Sequence, residues 1–133
     1  QASGSIDVDA AIDEFLQMIA LGDTPSLLSR QRYASHCGEL SVRREYDLAR
    51  IDDQGRVSQG SIDRLVLMYD GSRPVAADII DFKTDADIAD AADRHREQLV
   101  AYRDAASQMF KVAPAKISAR LLMVKDGTVV DIT

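Results

Sequence analysis

The chain has 133 residues, 46% apolar, 29% charged and 5% aromatic, which is enough for one hydrophobic core and too few for two domains. No run approaches the ~18 consecutive apolar residues of a membrane helix, and no apolar h-region marks a signal peptide. The sole cysteine, Cys37, excludes an internal disulfide, a four-cysteine zinc site and an iron–sulfur cluster built from this chain alone, while a formal charge of −6 argues against a domain that grips nucleic acid unaided.

The charge is uneven. Residues 1–25 carry five acids and no bases, residues 30–75 eight arginines against seven acids, residues 76–97 seven acids against three bases, and residues 98–133 three acids against five bases. Every base of the 30–75 segment is arginine, whose planar fork suits phosphate.

Gln1–Ser5 is small and polar and is set aside as an expression remnant. Ile6, Ala10, Ile12, Phe15, Leu16 and Ile19 then recur at helical spacing behind Asp7 and Asp9, and Gly22 closes that helix. Thr24-Pro25 reads as an N-cap followed by proline at the first helical position, opening a short second helix to about Arg32. The period changes at Leu40, where Leu40, Val42, Arg44, Tyr46 and Leu48 alternate as in a strand. Asp52–Gly55 is a turn, a second strand runs over 57–69, Asp70–Pro74 is another turn, and a third strand runs over 75–83. Residues 87–110 return to helical spacing with Leu99, Tyr102, Ala106 and Met109 on one stripe. An apolar strand over 117–124, a turn at Asp126-Gly127 and a short strand over 129–132 finish the chain. The order ααβββαββ predicts an α/β domain, a central mixed sheet flanked by helices with at least one crossover. A helical lead-in over 6–37 and a core over 38–133 divide this single domain.

Candidate chemistry gathers on the middle strands. Asp81 and Lys83, two apart on one strand, share a face. Asp63 and Asp81 are equidistant from Ser72, the centre of the Asp70–Pro74 turn, so a simple hairpin sets them directly across from each other, within one bulge. Opposed side chains have Cβ atoms roughly 4.5–5.5 Å apart. Two carboxylates that close repel, and both stay ionised only with a cation between them. Oxygen donors of this kind suit Mg²⁺, and a lysine beside them can orient an attacking water. The same residues also suit a plain cross-strand ion pair between Asp63 and Lys83 on a solvated face.

Gly60-Ser61-Ile62-Asp63-Arg64-Leu65, Ile79-Ile80-Asp81-Phe82-Lys83-Thr84 and Gln98-Leu99-Val100-Ala101-Tyr102 resemble, in order, the GxIDR, DxK and QxxxY motifs of RecB-type nucleases of the PD-(D/E)XK superfamily. The wording is most similar to the C-terminal nuclease domain of AddA-type, UvrD/Rep-like helicase–nucleases. The resemblance covers residues 38–132 and implies a restriction-endonuclease-like core. It implies that Asp63, Asp81 and the Phe82 carbonyl hold Mg²⁺ or Mn²⁺ and that Lys83 is the catalytic lysine. Glu45 falls where the family carries a strand glutamate, as a further ligand, and a solvated strand acid is the other reading. Gln98 and Tyr102, with Arg64 and Thr84, place DNA or support the site; for Gln98 and Tyr102 an ordinary amphipathic helix is the alternative.

The implied activity is exonuclease-type DNA cleavage in double-strand break repair. The implied partners are DNA, a helicase motor in the same parent chain and an AddB-like second subunit, in the bacterial cytoplasm and without membrane attachment. One departure stands out. The family's metal-binding histidine on an early helix has no counterpart: His36 reads as a loop residue and His95 as a supporting one. The expectation is therefore a fragment that starts downstream of that histidine. A second reading is a nuclease-like module, inactive when isolated, that guides DNA or docks a subunit. Metal titration separates the two.

Overall fold

The computed structural model describes residues 28–36, 38–51, 53–84 and 88–132, with positions 9, 12, 13, 16, 17, 20, 22 and 25 before them. Of the first predicted helix, positions 9, 12, 13, 16 and 17 are helical, Ala20 and Gly22 are turn, and its other positions lie outside the described residues, as does Cys37. The second predicted helix is corrected at its end. Arg30–Tyr33 form a short 3-10 turn, with Ser29 accepting from the Gln31 backbone N–H.

Five strands make one sheet in the order β1-β2-β3-β4-β5: β1 (Leu40–Ile51), β2 (Val57–Asp70), β3 (Arg73–Lys83), β4 (Ile117–Met123) and β5 (Thr128–Asp131). All neighbours are antiparallel except β3 and β4, which run parallel because α1 (Ile88–Phe110) carries the chain across between them. This is the α/β mixed sheet with a crossover that the pattern of periods predicts, and it is consistent with the restriction-endonuclease-like core that the resemblance implies. The loop between β2 and β3 is shorter than the sequence suggests. Only Gly71 and Ser72 turn, and strand pairing reaches Asp70↔Arg73. Gly71 has φ +61°, a conformation open to glycine at the first position of a two-residue hairpin loop. A bulge opposite Met68/Tyr69 leaves Val75 unpaired, next to Pro74, and shifts the register by one residue.

The core lies between the sheet and α1. Leu65, Leu67, Ile79, Ala119 and Leu121 are fully buried on this side, against Leu99 and Ala106 of the helix. At roughly 1.5–3 kcal/mol for each large apolar side chain removed from water, this layer dominates the stability. The predicted helical stripe slips at its end. Met109 is exposed and Phe110 packs instead, 5.8 Å from the Tyr46 ring. Lys111, at φ +55°, takes the left-handed position that closes the helix. The opposite face of the sheet carries Ile80 and Leu122, with Leu28 and Val129 packed against them.

Polar groups also lie on that second face. Asp78 is 3% exposed and accepts from the Tyr33 hydroxyl at 2.7 Å and from Arg32 Nε at 3.3 Å, with Arg120 at 3.5 Å. Burial pushes its carboxyl up, against the pull of Tyr33 and Arg32. His36 is tied into the fold rather than free in a loop: its Nε2 lies 2.8 Å from the Tyr69 carbonyl oxygen. Gly38 meets the same residue so closely that a Cβ there would overlap the Tyr69 carbonyl.

Candidate active site

The hairpin register has the centre that the sequence indicates. Arg64↔Ile80, Leu65↔Ile79 and Val66↔Asp78 all pair about Ser72. The β2–β3 ladder stops at Arg64, one residue before Asp63 would face Asp81. There the strands part. Instead of a backbone carbonyl, the Asp63 side chain receives the Phe82 N–H, at 2.8 Å. Asp63 thus fills a ladder position with its carboxylate, and that carboxylate comes up beside Asp81.

Asp81 is 3% exposed, and its carboxyl is pushed up to about 6 by burial first and then by the Asp63 carboxyl, against the pull of Lys83. Lys83 Nζ lies 2.9 Å from Asp81 Oδ2 and donates to Gln98 Oε1 at 3.3 Å. The ion pair of this face is therefore Lys83 with Asp81, two residues along one strand, in place of the cross-strand pair with Asp63. Helix α1 contributes Gln98 and, one turn on, Tyr102, whose ring and hydroxyl lie against Gly60. Burial and the Asp81 charge raise the Tyr102 hydroxyl.

The glycine of the first motif has a local reason. A Cβ on Gly60 would stand 2.5 Å from Tyr102 Cε1 and 2.9 Å from its hydroxyl oxygen. Tyr102 can lie across β2 only where β2 has no side chain. A cleft of about 200 Å³ opens beside this contact, lined by Leu48, Gln59, Gly60, Gln98, Ala101, Tyr102 and Ala105.

Of the candidate residues, Asp63, Asp81, Lys83, Gln98 and Tyr102 come together, with the Phe82 backbone N–H on Asp63 and Thr84 exposed just past β3. Arg64 does not join them. Its guanidinium turns to the other face of the sheet and donates to the Leu28 carbonyl at 3.2 Å. Glu45 is exposed on β1. Among the described residues no group of three or more His, Cys, Asp or Glu side chains gathers, so the carboxylates that meet are two. Two hard oxygen donors crowded enough to hold a proton fit a small divalent cation, whose other positions fall to backbone, water and substrate oxygens.

A mixed sheet with a crossover helix, bearing an aspartate on one strand and Asp-x-Lys on the next, defines an α/β domain with a restriction-endonuclease-like core. The sequence profile of the PD-(D/E)XK nuclease superfamily matches residues 17–131, and the chain belongs to that superfamily. No curated protein matches the chain. No helix among the described residues is long and apolar enough to cross a membrane.

Proposed function

We propose that this domain hydrolyses DNA phosphodiester bonds as an exonuclease-type module dependent on Mg²⁺ or Mn²⁺. The observation that carries the reading is the meeting of Asp63 and Asp81, with Lys83 held on Asp81. Asp63, Asp81 and the Phe82 carbonyl would hold the metal ion. Such an ion, when bound, activates water and offsets charge on the phosphoryl oxygens. Lys83 keeps its ammonium at the attacking side, steadied by Gln98, where it orients the water and attracts the scissile phosphate. Gln98 and Thr84, both exposed at this edge, meet the DNA backbone, while Tyr102 props the hairpin that carries Asp63.

The formal charge of −6 supports a module brought to DNA by a tethered machine. In this reading the parent chain is an AddA-type helicase–nuclease of the bacterial cytoplasm, acting with an AddB-like subunit on double-strand breaks, and the three ordered motifs support it. Cleavage of linear DNA with Mg²⁺ tests the chemistry. The wild-type protein should cut and Asp81→Asn should lose at least ~10³-fold, in keeping with an essential charged group in a catalytic site. Equal cutting by both proteins contradicts the assignment.

A further inference from the structure

We propose that Glu45 is a positioning residue whose left-handed backbone makes the bend that brings the Asp63 carboxylate to β3. This rests on the proposed function only for its consequence at the metal site; the bend itself stands on the fold.

Glu45 has φ +49° inside β1, a conformation that a side chain other than glycine adopts at a cost. The β1–β2 ladder runs from Leu40↔Met68 to Ile51↔Val57 and skips one opposed pair, Glu45 and Asp63. On both strands the inward face changes phase at that point. Arg43 lies over the Tyr46 and Phe110 rings, at 5.3 and 5.8 Å, although residues three apart on a regular strand point to opposite faces. On β2, Ile62 and Leu65 both enter the same core cluster, again three apart. The hairpin is therefore kinked across both strands at one level.

The kink has two effects. Beyond it, Leu48 and Ile62 join the core beneath α1, and Gly60 lies against Tyr102. Beside it, β2 leaves β3, and the freed Phe82 N–H takes the Asp63 side chain in place of a strand carbonyl. A straight β1 would keep β2 in register with β3, set Ile62 opposite Phe82 and leave Asp63 on the ladder. The Glu45 side chain itself is exposed, and among the described residues no third carboxylate joins Asp63 and Asp81. Its contribution is conformational, which differs from the ligand role that the family resemblance gives it.

The test compares Glu45→Gly, Glu45→Asn, Glu45→Gln, Glu45→Ala and Glu45→Val, reading hydrogen exchange at the Phe82 amide and Mn²⁺ affinity. Glycine and asparagine, which accept a left-handed backbone, should retain both. Glutamine, which keeps the side-chain length without the charge, should also match the wild type. Valine should speed Phe82 exchange and weaken Mn²⁺ binding, each by about tenfold, while alanine, unbranched like glutamate, should stay close to the wild type. Unchanged Phe82 protection in the valine variant overturns the proposal. So does an equal loss of Mn²⁺ affinity in the glycine and glutamine variants with Phe82 protection intact, since that marks a carboxylate ligand. Phe82 protection in the expected order, with no Mn²⁺ bound by any of the proteins, upholds the bend and overturns the metal reading instead.

Discussion

The Asp63 carboxylate accepts the backbone N–H of Phe82 at 2.8 Å, which fixes it one residue from Asp81 along the neighbouring strand. One side chain therefore ends a ladder and completes an acidic pair. The two roles come apart by mutation. Asp63→Asn keeps an oxygen to accept the amide, so unfolding midpoints should stay close to wild type while cleavage falls by at least about 100-fold. Asp63→Ala loses the acceptor as well and should cost about 1 kcal/mol more in chemical denaturation.

Burial and Asp63 hold Asp81 at about 6, above the ordinary 3.8. The native protein thus keeps a proton that the unfolded chain releases, so between these values stability falls as pH rises. In metal-free protein, Asp81→Asn should be no more stable than wild type near pH 4 and clearly more stable near pH 7. The proton also competes with metal. Mn²⁺ affinity should weaken on acidification below about pH 6, approaching tenfold per pH unit, as calorimetry at several pH values would show.

Gly60→Ala drives a methyl group to 2.5 Å from the Tyr102 ring, and a shift of the ring or the hairpin must follow. Overpacking of this kind costs about 1–3 kcal/mol. In a Tyr102→Ala background the same substitution should cost close to nothing. A double-mutant cycle in urea measures the difference, and additive losses would show that the two residues do not meet.

Asp78 serves the fold from the other side of the sheet. Asp78→Ala strands Arg32 and the Tyr33 hydroxyl, leaves Arg120 with Asp131 alone, and should destabilise by about 3 kcal/mol, as breaking buried ion pairs does. Activity per folded molecule, measured well below the unfolding transition, should be unchanged, because Asp78 faces away from Asp81.

Much of this was legible in the sequence because it rests on local signals. The period change at Leu40 marks β1, Asp-x-Lys fixes a face, and the turn at Gly71-Ser72 sets the β2–β3 register to within the one-residue bulge that moves its centre onto Ser72. What depends on distant contacts was hidden. Nothing around Gly60 announces that Tyr102, forty-two positions on, will occupy its missing side chain. Arg64 follows Asp63 directly, and strand alternation alone would send it to the other face, yet its partner is the Leu28 carbonyl across the chain. Asp78 sits among isoleucines with no local hint of Tyr33 and Arg32. The kink at Glu45 is the clearest case. Its sequence is ordinary strand, and the left-handed backbone arises where β1 and β2 turn together onto α1.

The central claim is that Asp63 and Asp81 together hold a divalent cation, and a Mn²⁺ titration of wild type, Asp63→Asn and Asp81→Asn tests it most directly. Wild type should bind one ion at this site, and each variant should weaken it by about 100-fold or more, in line with the loss of a charged ligand. Equal Mn²⁺ binding by all three proteins, or none by any of them, would contradict the account.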